Sequence, residues 1–257
     1  MTTIVRAAAY AASKALAFLR PAVSRSHLSE IVAALLGYKT LGALTSEEAD
    51  SSLAYHLDDA EMLVLDHASG SLRALELRLG IPPESIPSVV TVCVDAVRTS
   101  AAPTRVFAGV DDFYDSYGRE ALAETIFSSD EVSGAMGECN ASFPSEPRMP
   151  IETPSTTNLW AAKTEWLIEA NGDMEGEYDP EGDRMFNGNA MNCRGKLLFA
   201  KAGRAGLIAT DSEAFGGIDT SWRDQDHEDE EAYLASQRER DLEAGRNGDK
   251  GVAPQRL

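Results

Sequence analysis

The clearest pattern of apolar and polar positions lies in residues 26–44. Ser26 is a good N-cap residue, because its hydroxyl can accept a hydrogen bond from an amide of the first helical turn. Gly37 favours a helix end, because glycine takes the left-handed conformation at no steric cost. The pattern predicts a helix that begins after Ser26 and ends at Gly37, followed by a tight corner over residues 38–44. Apolar residues recur at helical spacing on one face: Leu28, Ile31, Val32 and Leu35.

Helical periodicity continues through most of residues 1–140. Residues 5–19 carry an apolar stripe that predicts an amphipathic helix packed on the 26–36 helix. A basic, acid-free start also occurs in targeting segments, but Lys14 interrupts the apolar run, so the helix is the preferred interpretation. Thr45 with Glu48 three residues later is a capping-box pattern and predicts a helix that runs to about His56.

Five further segments of this part contain apolar residues that predict secondary structure. Residues 71–79 predict a helix that turns Leu72, Leu75 and Leu79 toward the core. Residues 61–66 are too short for strand and helix to be separated by periodicity, and both remain open. Additional helices are predicted over residues 86–97, 114–127 and 130–140.

The character of the chain changes after residue 140. Residues 141–158 hold four prolines with serine and threonine, which predicts a linker. Residues 159–222 contain alternating and β-rich runs, with a hairpin predicted at Asn171-Gly172, and indicate a small antiparallel sheet. The fold class is therefore predicted as α+β: a helical domain over 1–140, the linker, a β domain over 159–222, and a charged, largely disordered tail over 223–257.

The charge of the chain is strongly negative and unevenly spread. The net charge is −19, and residues 111–183 alone hold 18 acidic and 3 basic residues, a net charge of −15. Such a surface repels phosphates, so direct nucleic-acid binding is not expected. Three cysteines without a C-x-x-C pair indicate free thiols in a reducing compartment, and no apolar run is long enough for a membrane span. We therefore expect a cytoplasmic protein, with Cys93 buried and Cys139 and Cys193 in more polar, exposed surroundings.

One acidic motif is unusual. Acids occupy every second position over eleven residues, a spacing that places their side chains on one face of a strand. The EF-hand pattern fails, because a calcium loop that starts at Asp173 or at Asp179 has no glycine at its sixth position. Three interpretations remain open: a solvated edge, a divalent-cation site, and a docking face for a basic partner. The six residues are Asp173, Glu175, Glu177, Asp179, Glu181 and Asp183.

Residues 184–210 carry five basic residues and, by contrast, no acid. Cross-strand pairing with the acidic segment, simple exposure, and an anion site at Lys201 and Arg204 are the three interpretations. No P-loop or nucleophile motif is present. The four histidines lack ligand spacing, and a cluster of His56, Asp59 and His67 requires that the fold bring them together. The metal set is therefore unknown, and no cofactor is expected other than a weakly bound divalent cation.

A resemblance accompanies the first pattern. The residues S-x-L-x-E-x-x-A-x-x-L-G-Y-K-T over 26–40, followed by Leu57-Asp58-Asp59-Ala60-Glu61 and the apolar run to Asp66, resemble a group of poorly characterised bacterial proteins labelled glyoxalase-related. The similarity covers about residues 5–100. True glyoxalases bind a divalent metal on paired βαβββ units, which the sequence does not indicate, so no ligand or activity is carried over.

These observations lead to one principal hypothesis and two alternatives. The principal hypothesis is a non-catalytic bacterial accessory protein that docks a basic protein partner through its acidic surface. The resemblance implies the first alternative, a metal-dependent enzyme or small-ligand binder. The charge suggests the second, an acidic inhibitor that mimics a nucleic acid.

Overall fold

A computed structural model describes residues 3–19, 21–182, 188–221 and 233–235 of the chain. Its helices are α1 Thr3–Ala15, α2 Arg25–Leu35, α3 Leu41–Glu48, α4 His67–Glu76, α5 Ile86–Ala101, α6 Val110–Phe113, α7 Arg119–Phe127 and α8 Asp130–Met136, with a π-helical turn over Tyr114–Gly118. Its strands are β1 Met62–Val64, β2 Arg105–Phe107, β3 Ala141–Ser142, β4 Glu165–Glu175, β5 Glu177–Tyr178, β6 Ala190–Ala202 and β7 Gly206–Ile218.

Five of these strands form a mixed sheet in the order β2-β1-β7-β6-β4. Strands β1 and β2 are parallel and are joined through α4 and α5, whereas β7, β6 and β4 are antiparallel to their neighbours. A separate pair, β3 and β5, is antiparallel. The protein is therefore α+β, as predicted, and residues 61–66 contain a strand. The parallel β1–helix–β2 unit was not predicted.

The short strand β1 is buried on both faces. Leu63 belongs to a core cluster with α1, α2 and α5, whereas Met62 and Val64 belong to a second cluster with aromatic residues from the other side of the sheet. The Val64 amide donates to Ala205 of the β6–β7 turn (2.9 Å), and the Val64 carbonyl accepts from Trp160 Nε1 (2.9 Å). One strand of three residues thus joins two layers of side chains.

The first cluster is rich in small and branched residues. Helix α1 contributes the predicted stripe, with Val5, Ala9 and Ala12 fully buried, and packs on both α5 and α2. Its small side chains let these helices approach closely. The Gly70 position in α4 shows the same constraint, because a Cβ there would lie 2.5 Å from Leu35 Cδ2.

The second cluster is aromatic. Phe113 is fully buried and contacts the rings of Phe107, Trp166 and Phe199, with centroids 5.2, 5.6 and 5.7 Å away. All three contacts are edge-to-face, the arrangement that aromatic quadrupoles favour. The cluster anchors α6 and the following π-helical turn to the sheet.

The helix boundaries differ from prediction at two N-caps. Helix α2 is capped by Ser24, whose hydroxyl accepts from the His27 amide (3.2 Å), and not by Ser26. Helix α3 begins after Thr40, which caps Ala43, so the predicted capping box at Thr45 is wrong. Thr45 instead donates to the Leu41 carbonyl inside α3, which ends at Glu48 and does not continue to His56.

The predicted burial of two leucines and one predicted hairpin turn are also wrong. Leu72 and Leu75 of α4 are 59% and 54% exposed, and Gly70 and Ala74 face the core instead; only Leu79 is buried as predicted. Asn171-Gly172 is not a hairpin, because β4 runs through it and pairs with β6. A Cβ at Gly172 would lie 2.7 Å from Met149 Sδ, so this glycine admits a neighbouring chain segment and does not form a turn.

The segment 141–158, predicted as a linker, lies against the sheet. Arg148 forms a backbone bridge with Asp173, the Tyr114 hydroxyl donates to the Pro150 carbonyl (2.7 Å), and Trp166 Nε1 donates to the Thr157 carbonyl (3.0 Å). Because β1 and β2 come from the part predicted to be helical, one sheet contains strands from both predicted parts. Most of the predicted tail, 223–257, lies outside the described residues.

The aromatic cluster gives a stability prediction. Replacing Phe113 with alanine removes three ring contacts and leaves a cavity, so we expect the free energy of unfolding to fall by about 3–5 kcal/mol. The matched control is Phe127→Ala, because that ring is 41% exposed. Urea denaturation followed by tryptophan fluorescence measures both, and equal losses for the two variants would contradict a core role for Phe113.

Candidate functional site

The predicted row of acids is only partly one strand face. We call Asp173, Glu175, Glu177, Asp179 and Glu181 the acidic strand, although Asp179 and Glu181 lie in the turn that follows β5; Asp183 lies outside the described residues. Asp173 and Glu175 project from β4 with buried Met174 between them, as the alternation predicts. Beyond Gly176, Glu177 and Tyr178 are both exposed and pair with β3, so the strict alternation ends there.

The acidic strand has little internal charge compensation. Glu175 forms an ion pair with Arg148 (2.8 Å), which is the one ion pair to these five acids within the described residues. The Asp179 carboxylate accepts from the Glu181 amide (3.0 Å), and Asn140 donates to the Asp179 carbonyl. These contacts hold the backbone and leave most of the negative charge facing water.

Beside this strand lies a sheet face without a covering helix among the described residues. We call Leu167, Glu169, Arg194, Lys196, Glu213 and Phe215 the open sheet face; they share one side of β4, β6 and β7. Leu167 and Phe215 are 42% and 40% exposed, which is high for large apolar side chains on a sheet. The Arg194 guanidinium lies 5.0 Å from the centre of the Phe215 ring.

The basic segment does pair across the sheet, but with other acids than those predicted. Lys196 Nζ lies 3.0 Å from the Glu213 carboxylate on β7, and Arg194 lies 3.5 Å from Glu169 on β4. Each pair is at least partly exposed to water, so each contributes little to stability. The acids of 173–181 other than Glu175 therefore remain available to other groups.

Lys201 and Arg204 lie at the tight turn between β6 and β7, where they meet residues from the start of the chain. The Tyr38 hydroxyl donates to Glu47 (2.8 Å) and accepts from the Arg204 amide (3.2 Å). Arg204 Nε donates to Glu47 Oε2 (3.3 Å), and its guanidinium lies 5.0 Å from the centre of the Tyr38 ring. Tyr38, Glu47 and Arg204 thus form one polar cluster.

Local sequence places Tyr38 in this cluster. The Tyr38 amide donates to Ala33 (3.0 Å) and the Gly37 amide to Ala34 (2.9 Å), the two bonds of a Schellman helix end. Gly37 has a φ of 82°, as its predicted role requires. Gly203 also has a positive φ of 62°, and a Cβ there would lie 2.8 Å from the Tyr38 hydroxyl. Glycine at 203 therefore lets the turn approach Tyr38.

Burial changes the protonation of this region. Lys201 is 5% exposed, and its Nζ donates to the Arg204 carbonyl (2.7 Å). Burial lowers the pKa of Lys201 to about 7, and the nearby Glu47 charge opposes this only in part. Burial, together with the hydrogen bond to Glu47, raises the pKa of Tyr38 well above its usual range, so the hydroxyl stays protonated.

Two neighbouring cavities share Trp160, Ala161 and Arg204. The first, of about 500 Å³, is lined by Lys201, Glu47 and Tyr55 among others. The second, of about 620 Å³, is lined by Arg73, Asp66 and the exposed Leu72. In the second cavity, Arg73 is paired with Glu30 (2.7 Å) and Glu76 (3.0 Å), and Asp66 accepts from Ser69. Arg73 and Asp66 are therefore both already engaged by neighbouring side chains.

The fold does not bring His56, Asp59 and His67 together as a metal site. Within the described ranges, no group of three or more His, Cys, Asp or Glu side chains could hold a metal ion. His56 instead lies 3.8 Å from Glu48, and burial raises the pKa of the Glu48 carboxyl. All three cysteines are free and buried, so the expected exposure of Cys139 and Cys193 is wrong and the burial of Cys93 is confirmed.

Comparison with known proteins adds no relative. No protein-family model matches the chain, and neither a curated protein nor a solved structure matches it. The resemblance to glyoxalase-related proteins therefore stays a prediction. Among the helices that the structure describes, none has both the length and the apolar character needed to cross a membrane.

The buried lysine predicts a pH dependence of stability. Its pKa is about 7 in the folded protein and near the ordinary 10.5 when unfolded, so the unfolded state binds more protons between these values. Stability contributed by this group therefore rises with pH across that window, by up to about 1.4 kcal/mol per pH unit. Urea denaturation at pH 7, 8 and 9 should show wild type gaining stability relative to Lys201→Met. A difference that does not change with pH would contradict the burial of a titrating amine.

Proposed function

We propose that this chain is a non-catalytic, cytoplasmic accessory protein that binds a basic protein partner through the acidic strand and the adjacent open sheet face. The observation that carries the proposal is that a row of poorly compensated acids begins at Asp173, on the side of the sheet that also carries exposed apolar side chains. Within the described residues, Asp173, Glu177, Asp179 and Glu181 form no ion pair. Leu167 and Phe215 supply apolar area on the same side of the sheet as Asp173.

The charge supports a basic partner in particular. The acids of residues 111–183 create a negative field that accelerates encounter with a positively charged protein. An acidic surface alone serves solubility equally well. Apolar side chains among the acids distinguish a docking face, because a protein interface has an apolar centre with a polar rim. Tyr178 of β5 and Ile151 are further exposed apolar side chains in this part of the chain.

The cysteines support the proposed compartment. All three thiols are free and buried, which suits a protein that folds without disulfides in a reducing environment. The small-ligand alternative draws its support from the cavity at Lys201, which is independent of the open sheet face. The metal-dependent alternative has no supporting group of ligands among residues 3–19, 21–182, 188–221 and 233–235.

The proposal predicts a loss of binding when four of the acids are neutralised. The test variant is Asp173→Asn, Glu177→Gln, Asp179→Asn and Glu181→Gln, and the partner is one recovered with wild type from host extract and then purified. We expect its Kd, measured by calorimetry, to rise at least tenfold with this variant, and to rise again between about 50 and 300 mM salt for wild type.

The matched control neutralises four exposed acids on the helices and their connections: Glu84→Gln, Asp111→Asn, Glu120→Gln and Glu131→Gln. It removes the same charge and should leave the Kd within about threefold of wild type. A third variant, Phe215→Ala, tests the apolar component and should also weaken binding. An equal rise in Kd for the test and control quadruple variants would show that binding depends only on net charge and would contradict the docking proposal.

A further inference from the structure

The cavity beside the β6–β7 turn is lined by Lys201, a lysine whose surroundings differ from those of an ordinary surface lysine. The cavity is about 500 Å³, within the range of small-ligand sites. Its walls come from three separate segments: the chain after α3, residues 160–164, and the turn at 201–204. The polar residues that line it include Asp50, Tyr55, Thr164 and Lys201.

Lys201 is held without a charged partner. The residue is 5% exposed, and the one hydrogen bond that its Nζ forms within the described residues is to the Arg204 carbonyl, at 2.7 Å. The nearby carboxylate is Glu47, but both of its oxygens are engaged, one by the Tyr38 hydroxyl and the other by Arg204 Nε. The network that fixes Glu47 therefore leaves the amine buried and unneutralised.

A buried amine of this kind carries a lone pair at neutral pH. Burial lowers the pKa of Lys201 to about 7, so about half of the amine is unprotonated there. An exposed lysine with an ordinary pKa is almost wholly protonated at the same pH. Desolvated lysines of this type act as nucleophiles toward carbonyl groups.

We propose that Lys201 forms an imine with a small aldehyde bound in this cavity. The amine nitrogen forms a bond to the carbonyl carbon, and the carbonyl π electrons pass to oxygen, which takes a proton to give a carbinolamine. Loss of water then forms the C=N bond. The balance is one amine and one aldehyde in, and one imine and one water out, without an oxidant or reductant.

A purely structural role for Lys201 makes a different prediction. In that case the amine serves only to donate to the Arg204 carbonyl, and it reacts with an aldehyde no faster than other lysines. The two roles are separated by reactivity in the folded protein. Lys163 is the matched comparison, because it lines the same cavity but is exposed.

The test is trapping with propanal and sodium cyanoborohydride, with the modified lysines located by peptide mass spectrometry. In the folded full chain at pH 7, we expect Lys201 to be propylated at least tenfold faster than Lys163 or Lys39. Its rate should reach half of its maximum near pH 7, whereas the rates of the other two lysines should still be rising at pH 9. The chain's α-amino group is mapped separately.

Two variants serve as controls for the trapping experiment. Lys163→Gln should leave the rate at Lys201 unchanged, and Lys201→Met should remove the fast phase while its circular dichroism matches wild type. The proposal is overturned if Lys201 reacts no faster than Lys163 in the folded chain, or reacts only after urea unfolding. Because the open sheet face is not involved, failure here leaves the docking proposal untouched, and the reverse also holds.

Discussion

Burial of β1 on both faces is the constraint on which the rest of the structure depends. Three residues, Met62–Val64, supply side chains to two separate core clusters and backbone bonds to their neighbours on each side. The residue that follows, Leu65, donates to Phe107 of β2, and Asp66 donates to Leu35 at the end of α2 (2.7 Å). A strand this short cannot be stable alone, so it persists because both layers close over it.

The cavity at Lys201 follows from that arrangement. Pairing of β7 with β1 brings the 201–204 turn against the end of α2, where the Schellman motif presents Tyr38. Trp160, bonded to the Val64 carbonyl, forms the opposite wall. Farther from β1, helices α7 and α8 cover one side of β6 and β7 through Leu122, Ile126 and Val132, and the other side remains the open sheet face. The buried amine of Lys201 and the open sheet face therefore belong to the same long pair of strands, β6 and β7.

Local patterns were the most reliable guide to this fold. The apolar stripes of α1 and α5 and the glycine stop at Gly37 could be predicted because neighbouring residues determine them. The exposure of Leu72 and Leu75 could not be predicted, because apolar spacing does not reveal that α4 packs on the core through Gly70 and Ala74. Asn171-Gly172 has hairpin composition, yet the approach of residues 148–149 decides its role. Arg204 lies 157 residues from Glu47 and 166 from Tyr38, so no spacing in the sequence could join them.

Native-state hydrogen exchange tests the central role of β1 most directly. The amides of Val64 and Leu65, bonded to Ala205 and Phe107, report on β1, and the Lys201 amide, bonded to Thr164, reports on the β6 end of the sheet. If β1 joins one cooperative core, all three amides should exchange with the free energy of global unfolding, and Val64→Ala should lower all three equally. Exchange of Lys201 at a distinctly lower free energy, unchanged by Val64→Ala, would contradict this account.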